Sequence, residues 1–533
     1  MIGTSLPEYV FIRVCIILLQ YTTPLCLICL TILIAVRGTS AALAMPISQV
    51  LVAYSVVDLL YALFVYYPYK LKLKQEAKHP TPLSRAERRE LFHRVHHNIP
   101  ELERYLHIWF LGADEGEIRR ENVRDFILWA FFDRWPGQES PDDEAELDEY
   151  LATIEQRIGR SLEPGRGKAT GLRLTLDEVE TRYRSVLWYF IVGIVDLATH
   201  FMMVWLGFQH HGQSRSNLLS VTPPRFQSFF SGKRSPSPRL TYWHRRHTAT
   251  DKLPVLFLHG IGIGLSTYVP YLSRLDSTQD RGQTGIIAIE ILPISFRLTD
   301  APLNKLEFLE NIGSILNAHG WDRFVLAAHS YGTVLATHLL RSPALSPQVD
   351  SVLLIDPVSI LLHLPDVAYN FTRRKPRKAN EWMLWYFASM DPGVAHCLGR
   401  HFFWKENIAW KEDLVQVAGD IPADGNGVED RGRHPKGQTR QVAVCLSERD
   451  LIVDTRMVAQ YLAGDKDWIS SGNEPWQSRS LTSTNHDVEP VPHHRTRDGV
   501  EIFWFPGLDH AQAFDVKRYR DCLCAITRRY CAG

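Results

Sequence analysis

At 533 residues and 61.1 kDa the chain exceeds one ordinary domain, which calls for a large unit plus an added region. Its 59 Lys and Arg balance 59 Asp and Glu, so no global charge draws it to nucleic acid or another polyanion. Of its eight cysteines, Cys26 and Cys29 alone have CxxC spacing, inside an apolar run and with no second pair, so neither a disulfide framework nor a zinc motif emerges.

Val14 to Val36 is an uncharged run of about twenty residues, long enough at helical rise to cross a bilayer. A second apolar run extends from Ala41 to Tyr69 with Asp58 as its single charge. Residues 1–79 are therefore expected to form a transmembrane helical hairpin rather than a cleaved leader. Lys70, Lys72, Lys74 and Lys78 follow the second run, which puts that end in the cytoplasm.

Residues 80–210 read as helical, opening on the capping box Ser84-Arg85-Ala86-Glu87. Val123, Phe126, Ile127, Trp129, Ala130 and Phe131 form a broad apolar face suited to core packing, and the acidic stretch Asp142 to Glu149 reads as solvated. A third apolar segment, 186–208, carries Asp196 and His200; an ionised carboxylate at mid-bilayer costs about 2.5 to 3.5 kcal/mol, and the segment is expected to cross or embed deeply. The polar stretch 211–239 reads as a linker.

From Leu240 onward short β-rich runs alternate with helical ones, the pattern of a mostly parallel sheet flanked by helices. Candidate strands are Leu240 to Arg245, Pro254 to Leu258, Gly285 to Ile291, Arg323 to Ala328, Ser351 to Ile355, Gln441 to Leu446 and Val500 to Phe505. Ligands in such sheets bind beyond the carboxyl ends of strands, so chemistry is sought there. The fourth run ends in Ala328-His329-Ser330-Tyr331-Gly332, a serine between small residues at a strand-to-helix turn; the general elbow has Gly at both flanks, and Ala328 departs from it by one methyl.

After the second run comes His259-Gly260-Ile261-Gly262-Ile263-Gly264, which lacks dinucleotide-binding spacing but frees backbone N–H groups. The Ile261 and Tyr331 N–H groups are the candidate oxyanion hole. Asp450 lies in the turn after Gln441 to Leu446 and His510 in the turn after Val500 to Phe505, giving the order Ser330, Asp450, His510. A serine hydroxyl needs a base to attack, an imidazole can take its proton, and a buried carboxylate fixes the imidazole tautomer. Asp454 and Asp509 are weaker acid candidates, and His329 must point away from Ser330 on an extended segment and so packs.

On these motifs residues 240–533 resemble the α/β-hydrolase superfamily, and the layout is similar to fungal membrane-associated serine hydrolases. The resemblance implies an α/β-hydrolase fold: a mostly parallel sheet of about eight strands, a helical lid after the sixth and a structural role for His259, here preceded by an all-α membrane-anchoring region. It also brings in Asp356 as the alternative acid, since some members carry it after that strand. A serine at the elbow argues against the epoxide- and haloalkane-opening branches, which use a carboxylate.

Residues 357–438 are too long for a plain connection and read as the lid, aromatic-rich and carrying Arg373, Arg374, Lys375, Arg377 and Lys378. Gly464 to Asp498 reads as a surface loop, and Asn370-Phe371-Thr372 is a glycosylation sequon. The paired histidines, His210 and His211 among them, are not spaced as ligands on one helix, so neither a metal nor a cofactor is indicated. The expected protein is an integral membrane serine hydrolase of the endomembranes acting on carboxylic esters, lipid esters among them, through an acyl-enzyme. The alternatives are an acyltransferase or thioesterase on the same fold, or a catalytically silent scaffold that binds lipid or a partner.

Overall fold

The structure, a computed structural model, describes residues 2–213, 221–225, 231–275, 282–418, 439–464 and 491–533. Its centre is a sheet whose strands are β1 (Gln209–Gly212), β2 (Lys233–Arg234), β3 (Thr241–Arg245), β4 (Val255–Leu258), β5 (Ile286–Glu290), β6 (Phe324–His329), β7 (Val349–Ile355), β8 (Gln441–Ser447), β9 (His493–Arg495) and β10 (Val500–Phe505). Their spatial order is β2-β1-β3-β5-β4-β6-β7-β8-β10-β9. From β5 to β10 every neighbouring pair is parallel, whereas β3 runs antiparallel to β1 and β5 and β9 antiparallel to β10.

β4, β6, β7 and β8 are Val/Leu/Ile-rich and almost wholly buried because helices cover both faces of the parallel part. This is the α/β-hydrolase fold, preceded by a helical region. Each of the seven expected strands is present within a residue or two of its expected bounds.

Two segments differ from expectation. The stretch 211–239 is not a plain linker: His211 in β1 pairs with Tyr242 of β3, and Lys233 and Arg234 extend the edge. Without strong β-formers, these short strands depend on the edge they extend and on His210 of β1, whose Nε2 lies 2.9 Å from Glu290 Oε2 of β5. Likewise His493–Arg495, expected within a loop, forms β9 on β10; 465–490 of that stretch lie outside the described residues.

The N-terminal apolar run is bent. Helices Leu6–Gln20 and Thr22–Arg37 meet at 70°, and the break falls just before Pro24, which offers no N–H to a continuing helix. The first helix packs Ile12 and Ile16 against Ala379 and Tyr386 of the expected lid, with Arg13 over the Trp382 ring. Among the described residues two helices, Pro46–Leu73 and Val186–Trp205, are long and apolar enough to cross a membrane, or three if the bent pair is one span.

The charges inside those helices have partners. The Asp58 carboxylate accepts from Thr23 Oγ1 and from the Val186 N–H, and Asp196 pairs with the buried Arg297 guanidinium. Helix Val186–Trp205 thus turns its polar side to the sheet region and leaves Phe190, Ile194, Leu197, Phe201 and Trp205 exposed.

Of the segment expected as a lid, residues 357–418 are described and form several short helices beside the strand ends. Arg373 pairs with Asp177 and Glu180, and Arg374 donates to the Leu451 carbonyl, so these two cations are engaged within the protein. The Asn370 side-chain amide donates to the Ile452 carbonyl at 3.1 Å.

Candidate active site

β6 runs between β4 and β7, with Ala328 in register with Leu258 and Leu354. At its end Ser330 adopts φ +52°, the left-handed conformation a sharp strand-to-helix turn demands. A Cβ on Gly332 would stand 2.3 Å from the Leu258 carbonyl oxygen, so close approach excludes any side chain there. At Ala328 the single methyl is fully buried and accommodated. Helix Gly332–Leu340 then carries the chain away.

The three distant residues converge. His510 Nε2 lies 2.8 Å from Ser330 Oγ, and His510 Nδ1 lies 2.6 Å from Asp450 Oδ2. The Asp450 side chain is fully buried, and its Oδ1 accepts the Ile452 and Val453 N–H groups at 2.8 and 2.9 Å, which orients Oδ2 toward the imidazole. Burial pulls the His510 pKa down, but the bonded Asp450 carboxylate, aided by Asp356 and Asp509, outweighs it and holds the imidazole above its ordinary value.

Asp356, the alternative acid, sits beside this pair but faces backbone. Its Oδ1 accepts the Ser447 N–H at 3.0 Å and its Oδ2 the Ala511 N–H at 2.9 Å, tying the turn that bears Asp450 to the turn that bears His510. Burial, then the neighbouring Asp450 charge, raises its pKa. Asp356 (φ +43°) and Ala511 (φ +65°) both have left-handed backbones, so strain gathers around the site.

Asp509 accepts the Leu451 and His510 N–H groups and the Asn380 amide, and thus pins the same two turns to the helical layer. Asp454 accepts the Met457 N–H as a helix N-cap and takes no part in the cluster.

The loop after β4 lies against Ser330, since a Cβ on Gly260 would meet Ser330 Cβ at 2.7 Å. Ile261, Ser330 and Tyr331 line one cavity. Among the described residues neither the Ile261 nor the Tyr331 N–H has a hydrogen-bond acceptor. His259 braces the loop, with Nε2 accepting the Ile291 N–H at 2.9 Å and Nδ1 bonded to the Gly260 carbonyl at 2.8 Å.

His329 packs, as its alternation demands. Its Nδ1 bonds the Tyr268 hydroxyl at 2.8 Å, and that hydroxyl also accepts the Gly260 N–H. Burial holds its pKa well below the ordinary value, leaving the ring neutral.

The cavity at Ser330 is overwhelmingly apolar. Val358, Leu362, Val367, Phe371, Leu398, Phe402 and Trp404 come from the expected lid, but Trp109, Trp129 and Leu174 come from the helical region before the sheet. The periodicity of Val123 to Phe131 indicated a buried face; nothing in it could tell that Trp129 would reach a cavity. Asp356 and Asp509 as clamps were equally hidden, since their partners are backbone groups of other turns.

No family model matches the chain, and no curated protein matches it. Similar solved structures include a bacterial membrane phospholipase A described as a virulence factor, 11% identical with a TM-score of 0.35, the match covering 64% of this chain and 93% of that one. Carboxylesterase CesB of Bacillus subtilis matches at 11% identity and a TM-score of 0.31 over 64% of this chain and 96% of its own. The 2-hydroxy-6-oxo-6-phenylhexa-2,4-dienoate hydrolase of Rhodococcus sp. strain RHA1 does so at 12% and 0.32 over 55% and 95%. Likeness this slight carries no weight for site or substrate, which rest on the chain's own geometry.

Proposed function

We propose that this chain is a membrane-bound serine hydrolase that cleaves carboxylic esters bearing an apolar acyl group. The observation that carries the reading is the unbroken line of hydrogen bonds from Asp450 through His510 to Ser330, with the serine opening on an apolar cavity. His510 Nε2 takes the Ser330 proton as Oγ attacks the acyl carbon, and Asp450 stabilises the imidazolium. The Ile261 and Tyr331 N–H groups hold the oxyanion, a contribution typically worth about 2.7 to 4 kcal/mol per donor. The imidazolium returns its proton to the departing alcohol, leaving an acyl-enzyme. Water, deprotonated by His510, then releases the acid and restores Ser330.

The acyl chain occupies the cavity between the lid and Trp109 and Trp129. Wild-type protein in detergent is expected to react with a fluorophosphonate probe and Ser330→Ala is not. A well-folded wild type that stays unlabelled overturns the proposal in favour of a silent scaffold. Product analysis with competing alcohols separates hydrolysis from acyl transfer, which would appear as new ester in place of free acid.

The anchor is helix Pro46–Leu73 together with the exposed apolar face of Val186–Trp205. Lys72, at the basic end of the first helix, lies 3.5 Å from Asp300 of the catalytic region, and Asp196 is drawn toward Arg297 rather than lipid. Both favour a catalytic region on the lysine-rich, cytoplasmic side, with Val186–Trp205 embedded sideways instead of crossing. The Asn370 sequon then stays unmodified; a glycosidase-sensitive gel shift lost in Asn370→Gln would reverse this topology.

A further inference from the structure

Far from the ester site, at the amino-terminal end of the parallel strands, three histidines from three elements face one another. His211 lies in β1, His244 in β3 opposite Ile287 of β5, and His319 ends the helix Lys305–His319. One ring nitrogen from each lies within 4.8 Å of the others, and the His244 and His319 rings are 3.9 Å apart between centroids. We propose that His211, His244 and His319 form a binding site for one first-row transition-metal dication, zinc foremost, which staples the edge strand after the apolar helix to the catalytic sheet.

The donors fit such an ion. Three imidazoles with no carboxylate suit zinc, copper or nickel rather than magnesium or calcium. Burial lowers the pKa of each ring, to about 4 for His211 and about 3 for His244, so all three are neutral and carry a lone pair at physiological pH.

Tyr242 supplies the outer shell. Its hydroxyl lies 3.0 Å from His211 Nδ1 and 2.9 Å from His319 Nε2; with those two nitrogens protonated and donating to it, the rings would offer His211 Nε2 and His319 Nδ1 to a metal. Among the described residues, buried His244 Nδ1 has no hydrogen-bond partner. A merely packed cluster leaves that nitrogen unsatisfied, whereas a metal satisfies it.

Zinc–nitrogen bonds of about 2.0 to 2.1 Å put tetrahedral ligand atoms about 3.3 Å apart, so the rings must close by roughly 1.5 Å at most. The fourth position opens on a groove rimmed by Lys233, Arg234 and Arg246, cations that oppose a bare dication and favour an anionic fourth ligand such as hydroxide.

The test uses the full chain in detergent, stripped with a chelator and titrated with zinc against a chromophoric competitor. One equivalent is expected to bind, raising Tm, and Co2+ is expected to give the intense visible bands of four-coordination. His319→Gln lies at a partly exposed helix end and is expected to fold, as judged by circular dichroism, yet to bind at least about a hundredfold more weakly. Tyr242→Phe is expected to lose about 10- to 100-fold in zinc affinity. No stoichiometric zinc on the intact protein, or equal affinity in folded His319→Gln, overturns the proposal.

Discussion

Asp450 and Asp356 both stand next to His510, and substitution by Asn separates their roles because it removes charge with little change in volume. Asp450 Oδ2 is 2.6 Å from His510 Nδ1 and, among the described residues, receives no other bond. An amide there can present its NH2 group to the ring and stabilise the wrong tautomer, with its proton on Nε2 facing Ser330. Loss of this function in a serine–histidine–carboxylate set costs about 10⁴ in kcat, or roughly 5.5 kcal/mol. Asp356 instead accepts two backbone N–H groups, those of Ser447 and Ala511. Asn keeps one acceptor and turns an NH2 toward the other donor, a loss of about 1 to 3 kcal/mol. If all of it misplaces the two turns in the transition state, the rate falls about 5- to 150-fold.

The assay is kcat/KM for a chromogenic ester on detergent-purified protein, with Tm alongside. Asp450→Asn is expected to lose at least a hundred times more rate than Tm loss explains, and Asp356→Asn to lose Tm first. An Asp356→Asn variant that keeps wild-type Tm but is about 10⁴-fold slower, beside an Asp450→Asn variant within tenfold of wild type, would refute the reasoning and make Asp356 the acid.

In the proposed mechanism His510 must be unprotonated to act as base, and it is held above the ordinary imidazole value of 6.5, so kcat/KM is expected to rise with pH along a limb displaced to the alkaline side. In Asp450→Asn the residual activity is expected to show that limb at lower pH; an unmoved limb would detach it from His510. Leu398→Trp fills the cavity beside Ser330, and if it excludes three methylenes at about 0.8 kcal/mol each, preference for long over short acyl esters is expected to fall roughly 60-fold. Equal loss for both chain lengths would mean that acyl chains do not enter there. Arg297→Met strands the Asp196 carboxylate and is expected to cost about 3 to 5 kcal/mol, largely regained in Asp196→Leu/Arg297→Met; a double variant no more stable than the single one would show that the pair does not couple.

Much of the sheet was legible in the chain because a strand buried on both faces must be apolar throughout, and Val255 to Leu258 or Phe324 to Ala328 have no other use for such runs. The elbow at Ser330 was legible for a steric reason, since strand and helix approach too closely there for a side chain at Gly332. Pairing Ser330 with Asp450 and His510 followed from chain order and strand-end position, both one-dimensional properties. Local pattern therefore determined the strands and the residues at their ends. Partnerships across the fold depended on packing. The Asp196–Arg297 pair, the backbone clamps of Asp356 and Asp509, the arrival of Trp109 and Trp129 at the cavity and the meeting of His211 with His244 and His319 join elements far apart in sequence. Propensity and periodicity describe a residue's neighbours along the chain, whereas its contacts across the core exist only once helices and strands have taken their places, and those contacts decide which buried polar atom finds which partner.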